Sequence, residues 1–165
     1  MILSVFLGID IGTTAIKLGV IQENKLLYSS DLPLQTYGDD RIKYQDGNEL
    51  LAILQAGILA IPLNVRREIT KLSFSTAMHS LMPDDGRRQI FLWSDLQAAE
   101  TIDRFKQTKL ATHFYEISGT PIHAMSPFAK VLYFQEENLY PAETHWYGIK
   151  AVSYTHLRAH ETGAY

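Results

Sequence analysis

Gly8-Ile-Asp-Ile-Gly-Thr-Thr-Ala-Ile-Lys17 is the stretch on which the reading of the fold turns. Val5 to Asp10 is a short apolar run that ends in Gly-Thr-Thr, and Ala15 to Gln22 resumes with β-compatible residues. After the turn-forming Glu23-Asn24, Lys25 to Leu32 makes a third run, which Pro33 ends. Three consecutive antiparallel strands are expected. In the first turn Gly12 offers unusual backbone freedom and close approach of main-chain N–H groups to an anion, and Thr13 and Thr14 add hydroxyl donors. Asp10, at the end of a strand expected to be buried, is poorly solvated unless a cation such as hydrated Mg²⁺ lies beside it. Lys17, on the opposing strand, brings a compact positive charge. An ordinary hairpin turn with Asp10 as its acceptor is the competing reading. The stretch lacks the Gly-Lys-Ser/Thr ending of a P-loop, and a strand follows it where a dinucleotide fingerprint needs a helix.

Beyond this meander the pattern becomes mixed. Tyr37 to Tyr44 is polar and irregular, and a surface loop is expected. Asn48 offers an N-cap, with Leu50, Leu51, Leu54, Ile58 and Ile61 at helical spacing until Pro62. Lys71 to Ser75 and Gln89 to Trp93 read as strands, separated by the turn chemistry of Pro83-Asp-Asp-Gly86. A helix is expected from Asp95 to about Lys109, and Ser126-Pro127 starts another. The order points to an α/β layer arrangement without internal repeats.

Composition narrows the function class. The 165 residues are 46% hydrophobic, enough for one sizeable core. Fifteen Lys and Arg face 18 Asp and Glu, so no basic footprint for nucleic acid or an anionic membrane exists. The absence of cysteine removes disulfides, thiolate nucleophiles and thiolate metal sites together. The apolar start from Met1 to Leu7 has no basic n-region and is read as the first strand rather than a signal peptide, which makes a cytoplasmic location the expectation.

Gly8 to Lys17 resembles the first phosphate motif of the actin, hexokinase and Hsp70 ATPase superfamily. Within it, Leu72 to Leu81, Leu92-Trp-Ser-Asp95, Ser118 to Pro127 and Gly148-Ile-Lys150 are similar to segments of the FGGY carbohydrate kinases, particularly the gluconate kinase branch. The resemblance spans about residues 5 to 150 and implies a ribonuclease-H-like α/β fold whose mixed sheet begins with three antiparallel strands. It implies ATP and Mg²⁺ as cofactors, with Asp10 on the metal side and Gly12, Thr13, Thr14 and Lys17 at the phosphates. Met78, His79, Trp93, Asp95 and Met125 would then line a pocket for a sugar or sugar acid. Imidazole can exchange hydrogen bonds with a polyol while methionine packs on its carbons. Trp93 as plain core and Asp95 as a helix cap compete with those roles. Gln97 stands where the family commonly has Arg two residues after the Asp, which puts the acceptor in question.

The resemblance implies that the general base, an Asp, lies beyond the end of this chain, so that residues 1–150 form an incomplete N-terminal domain with negligible activity alone. Gluconate is the first acceptor considered, xylulose or glycerol the alternatives, and a non-catalytic sugar-binding regulator a third. A homodimer of the full-length protein is the assembly considered. His113, His123 and His145 are given no ligand role. His156 and His160 have metal-ligand spacing, but Ser153 to Thr162 is similar to a translated sequencing adapter, so residues 151–165 are expected to be a non-native, disordered tail.

Overall fold

In the computed structural model, residues 4–150 are described; the expectations for 151–165, including His156 and His160, fall outside them. The chain divides into two compact units, one formed by residues up to 36 together with 45–77, the other by 37–44 together with residues from 78 onward.

The first unit is built on strict alternation. β1 (Val5–Ile11) and β2 (Ala15–Gln22) bury Val5, Leu7, Ile9, Ile11, Ile16, Leu18 and Val20 on one face. This is the period of two that a half-covered sheet requires. β3 (Lys25–Pro33) pairs antiparallel with β2, as expected, through a turn in which Glu23 and Asn24 both adopt positive φ. β6 (Ile69–Thr76) lies parallel to β1, giving the order β3-β2-β1-β6.

α1 (Gly47–Ala60) turns Leu50, Leu54 and Gly57 inward. A Cβ on Gly57 would meet Leu32 Cδ1 at 2.2 Å and Leu18 Cδ1 at 3.1 Å, so this glycine lets the helix lie close against β2 and β3. The cap is Asp46 rather than the expected Asn48: its Oδ1 accepts from the N–H groups of Asn48 and Glu49 at 2.7 and 3.0 Å. That satisfies two donors the first turn leaves open. A short α2 (Leu63–Arg66) follows.

The second unit is less regular. The stretch expected to be a loop forms β4 (Tyr37–Gly38) and β5 (Lys43–Asp46), joined where Asp39 Oδ1 accepts from the N–H groups of Arg41 and Ile42. β5 continues to β8 (Gln89–Phe91) in a three-stranded sheet, and β7 (Met82–Pro83) pairs with β9 (Trp146–Tyr147). The helix expected from Asp95 to about Lys109 is the shorter α3 (Ala99–Lys106), which stops where the Thr108 hydroxyl donates to Phe105 O at 2.7 Å, and an unexpected α4 (Lys109–Ser118) follows it. α5 (Pro127–Glu136) starts as expected, with Ser126 Oγ accepting from Ala129 N. Its Phe134 packs on Phe91 and Trp146, with ring centroids 4.9 and 5.5 Å away. No helix among the described residues is long and apolar enough to cross a membrane.

Candidate functional site

The register of the first unit gathers the phosphate-side candidates. Asp31, Lys17, Asp10 and Ser75 are successive cross-strand partners over β3, β2, β1 and β6. They form one lateral row on the face opposite the apolar core. The next row is Ser29, Gly19, Gly8 and Ser73. These small side chains leave an open hollow of about 400 Å³, lined by both rows.

Asp10 is exposed, which corrects the expectation of a poorly solvated carboxylate: β1 is buried only on its other face. No ion pair forms between Asp10 and Lys17, although they are register partners. Both charges remain open to a ligand.

The turn itself is held from several sides. Gly12 N donates to Ala15 O at 3.0 Å, Leu34 N donates to Thr14 O at 2.9 Å, and Ala77 N donates to Ile11 O at 2.8 Å. Gln45, almost fully buried, donates from Nε2 to Thr13 O at 2.8 Å. Gly12 is therefore not needed for a left-handed conformation, and its amide is already engaged. Its lack of a side chain matters instead, because a Cβ would lie 3.2 Å from Ala15 O. The amides and hydroxyls of Thr13 and Thr14 take no partner among the described residues.

This donor set fits a phosphate, which needs outward-facing N–H and O–H groups on a fixed backbone. It also fits Mg²⁺, which keeps most of its waters and needs only one or two carboxylates. No group of three or more His, Asp or Glu suited to a metal occurs among the described residues. Asp10 would therefore hold a hydrated ion rather than build a cage.

The second unit carries the other five candidates. Met78 is 75% exposed and His79 has a positive φ of 60°. Such a conformation is costly for a non-glycine residue. Leu81 and Phe91 exchange N–H···O bonds of 3.0 and 2.8 Å in an antiparallel bridge, so the chain leaving His79 runs beside the chain entering Trp93. Trp93 is 47% exposed and is not core.

Asp95 behaves differently. It is fully buried; Oδ2 accepts from Lys43 N at 3.0 Å and from Gln97 Nε2 at 2.9 Å, and Gln97 N reaches Oδ1 at 3.4 Å. The helix-cap reading fails, since α3 begins at Ala99 with no side-chain cap. Burial raises the Asp95 pKa, and the hydrogen bonds from Lys43 and Gln97, with the Lys130 charge, pull it back.

Lys130 was hidden in the sequence. It is fully buried, donates from Nζ to Met125 O at 2.8 Å, and burial pulls its ammonium down to about 8 while Asp95 pulls it up. Met125 N in turn accepts support from His123, donating to Nδ1 at 3.2 Å. Lys130, Met125 and His123 are thus linked by hydrogen bonds, and Asp95 lies within Coulombic range of Lys130. A sequence signal existed: Lys130 lies four residues from both Ser126 and Phe134, so it shares the inward stripe of α5.

Comparison with known proteins places the chain in a family. A model of the FGGY family of carbohydrate kinases, N-terminal domain, matches residues 5–150. The chain belongs to this family. It is 28% identical over 149 residues to a gluconokinase of Bacillus licheniformis, covering 82% of this chain and 28% of that protein. Among solved structures, a ligand-bound xylulose kinase from Lactobacillus acidophilus superposes with a TM-score of 0.83 at 24% identity, over 93% of this chain and 33% of that one. A gluconate kinase from the same organism gives 0.76 at 24% identity, over 90% and 32%. This FGGY domain has the actin-like ATPase fold that the opening strands suggested. It spans less than a third of the length of the gluconokinase it matches.

Proposed function

We propose that this FGGY chain is the nucleotide-phosphate and acceptor-binding part of an ATP-dependent carbohydrate kinase acting on a sugar acid of the gluconate type. The observation that carries the reading is the outward row of Asp10 and Lys17 beside the free Thr13 and Thr14 donors. Mg²⁺ and ATP, when bound, supply the transferable γ-phosphoryl and neutralise its developing charge. Thr13 and Thr14 hold phosphate oxygens through amides and hydroxyls, Gly12 keeps that turn tight, and Lys17 adds positive charge across the row. Asp10 would hold the hydrated Mg²⁺ beside them. Met78, His79, Trp93 and Met125 present apolar and hydrogen-bonding surface to the acceptor. Asp95 shapes that surface from beneath, since its oxygens face the protein. Each of the two sets of residues works by positioning and fixed dipoles.

The general base is assigned to a segment outside this chain, and a cytoplasmic setting belongs to the same proposal. In a coupled ADP-release assay the purified 165-residue chain is expected to show negligible turnover with gluconate. Family-like turnover would contradict the assignment of the base.

A second reading has one observation in its favour. Gln97, which is uncharged, bonds to Asp95 where the resemblance implies Arg, so the site lacks one cation for an acidic acceptor. A neutral acceptor such as xylulose or glycerol follows. Calorimetric titration with gluconate, xylulose and glycerol separates the two: tighter gluconate binding supports the first, and preference for a neutral compound replaces it with the second. A sugar-binding regulator would bind sugar without any Mg²⁺-dependent nucleotide affinity.

A further inference from the structure

Three carbonyls of the turn after β1 are each tied to a different segment of the first unit. Ile11 O accepts from Ala77 N at 2.8 Å, Thr14 O from Leu34 N at 2.9 Å, and Thr13 O from Gln45 Nε2 at 2.8 Å. The first two ties are main-chain bonds that almost any residue could make. The third needs one particular side chain, and it has a directional consequence. Thr13 C=O and Thr14 N–H belong to one planar trans peptide, so they point in opposite directions. A donor that holds the carbonyl on one side therefore aims the N–H out of the other. Thr14 is exposed, and its N–H takes no partner among the described residues. Were that plane to turn over, the carbonyl would face an approaching anion and the N–H would be withdrawn, exchanging attraction for repulsion.

Gln45 is not explained by packing. It is 2% exposed, its Nε2 is engaged by Thr13 O, and its Oε1 is buried with no partner among the described residues. A buried amide left half satisfied costs stability, so an apolar side chain of the same size would serve a core better. Its main chain is equally fixed: Gln45 lies in β5 and is followed by Asp46, the cap of α1.

We propose that Gln45 is a positioning residue: through Thr13 O it fixes the Thr13–Thr14 peptide plane so that the Thr14 N–H faces a nucleotide phosphate. The inference rests on the kinase reading for the identity of the anion and adds a residue that reading does not use. Gln45 acts only through the turn, since its side chain has almost no exposed surface.

Calorimetric titration of Mg-ADP into the 165-residue chain and two variants tests it, with the Thr14 amide followed by NMR. Gln45→Leu keeps the volume and removes the donor together with the unpaired acceptor. It should weaken Mg-ADP binding about tenfold and abolish the response of the Thr14 amide to nucleotide. Its urea midpoint should stay close to the parent's, because losing the bond to Thr13 is offset by losing the unpaired oxygen. Gln45→Glu carries a sharper signature. A carboxylate cannot donate to Thr13 O, whereas a protonated carboxyl can, and burial raises the pH at which it protonates. The deficit of this variant relative to the parent should therefore shrink as pH falls from about 7.5 to about 5.5, which a merely structural defect would not show. Parent-like affinity in Gln45→Leu, or a Gln45→Glu deficit that does not change with pH, would overturn the assignment and leave the kinase reading standing. A parent chain that does not bind Mg-ADP would bring down both.

Discussion

Asp10 lies within β1 of the first unit and Asp95 follows β8 in the second, and their surroundings are opposite. Asp10 is exposed on an open sheet face, beside Lys17 and Ser75 and without a bonded partner. Asp95 has no exposed surface, its oxygens accept from Lys43 and Gln97, and a second buried charge, Lys130, lies within Coulombic range. The first arrangement displays charge toward a ligand and contributes little to folding. The second uses charge to fix loops, at a desolvation cost that only complete pairing offsets.

The comparison breaks first at these two residues. Asp95→Ala should cost about 3 kcal/mol in urea denaturation, because it strands the Lys43 amide and leaves the Lys130 ammonium without its counter-charge. Asp10→Ala should change stability by less than about 0.5 kcal/mol, as an exposed substitution does. Equal losses would remove the distinction.

The pH dependence sharpens it. Lys130 titrates near 8 in the folded protein against 10.5 for the unreacted side chain, so the unfolded chain binds more protons between those values. Stability contributed by this group therefore rises as pH climbs from 8 to 10.5 and is lost as pH falls back through 8. The difference between the parent and Lys130→Met should change by roughly 3 kcal/mol across that window. A difference that stays flat with pH would show that Lys130 is not held in a desolvated site. Asp95 works in the opposite sense at acid pH: its raised pKa makes its contribution fall as pH rises above 3.8.

Smaller effects are expected in the first unit. Gly57→Ala should destabilise by about 1 kcal/mol, since the new methyl meets the side chains of Leu32 and the buried Leu18, a clash that the better helix propensity of alanine offsets only in part. Asp46→Ala should cost about 1 kcal/mol through the lost cap, whereas Asn48→Ala should cost almost nothing. Denaturant midpoints at constant slope read both.

The two units also differed in how openly the sequence declared them. Alternation from Val5 to Val20 made the meander legible, because each residue's face follows from its parity. β4 and β5 escaped notice because a two-residue strand has no period, and their hairpin depends on Asp39 bonding its own neighbours. α4 escaped notice because only Ala111 on it is buried, so its residues show no inward apolar stripe to read. Met78, Trp93 and Met125 were singled out through resemblance, and burial was not predictable from type: a tryptophan for which core was the competing reading is half exposed, and a lysine on a helix is fully buried. Gln45 gave no local signal, since its bond to Thr13 spans 32 residues.

The central claim is that the turn after β1 binds nucleotide phosphates with magnesium steered by Asp10. Amide NMR of the isotopically labelled chain, titrated with Mg-ADP, tests it most directly. The account predicts that the largest shifts fall on Thr13, Thr14 and Lys17, shrink when magnesium is removed, and weaken in Asp10→Asn and Thr13→Ala while fold and stability stay unchanged. Shifts confined to other residues, or a response at Thr13 and Thr14 that is identical with and without magnesium, would contradict it.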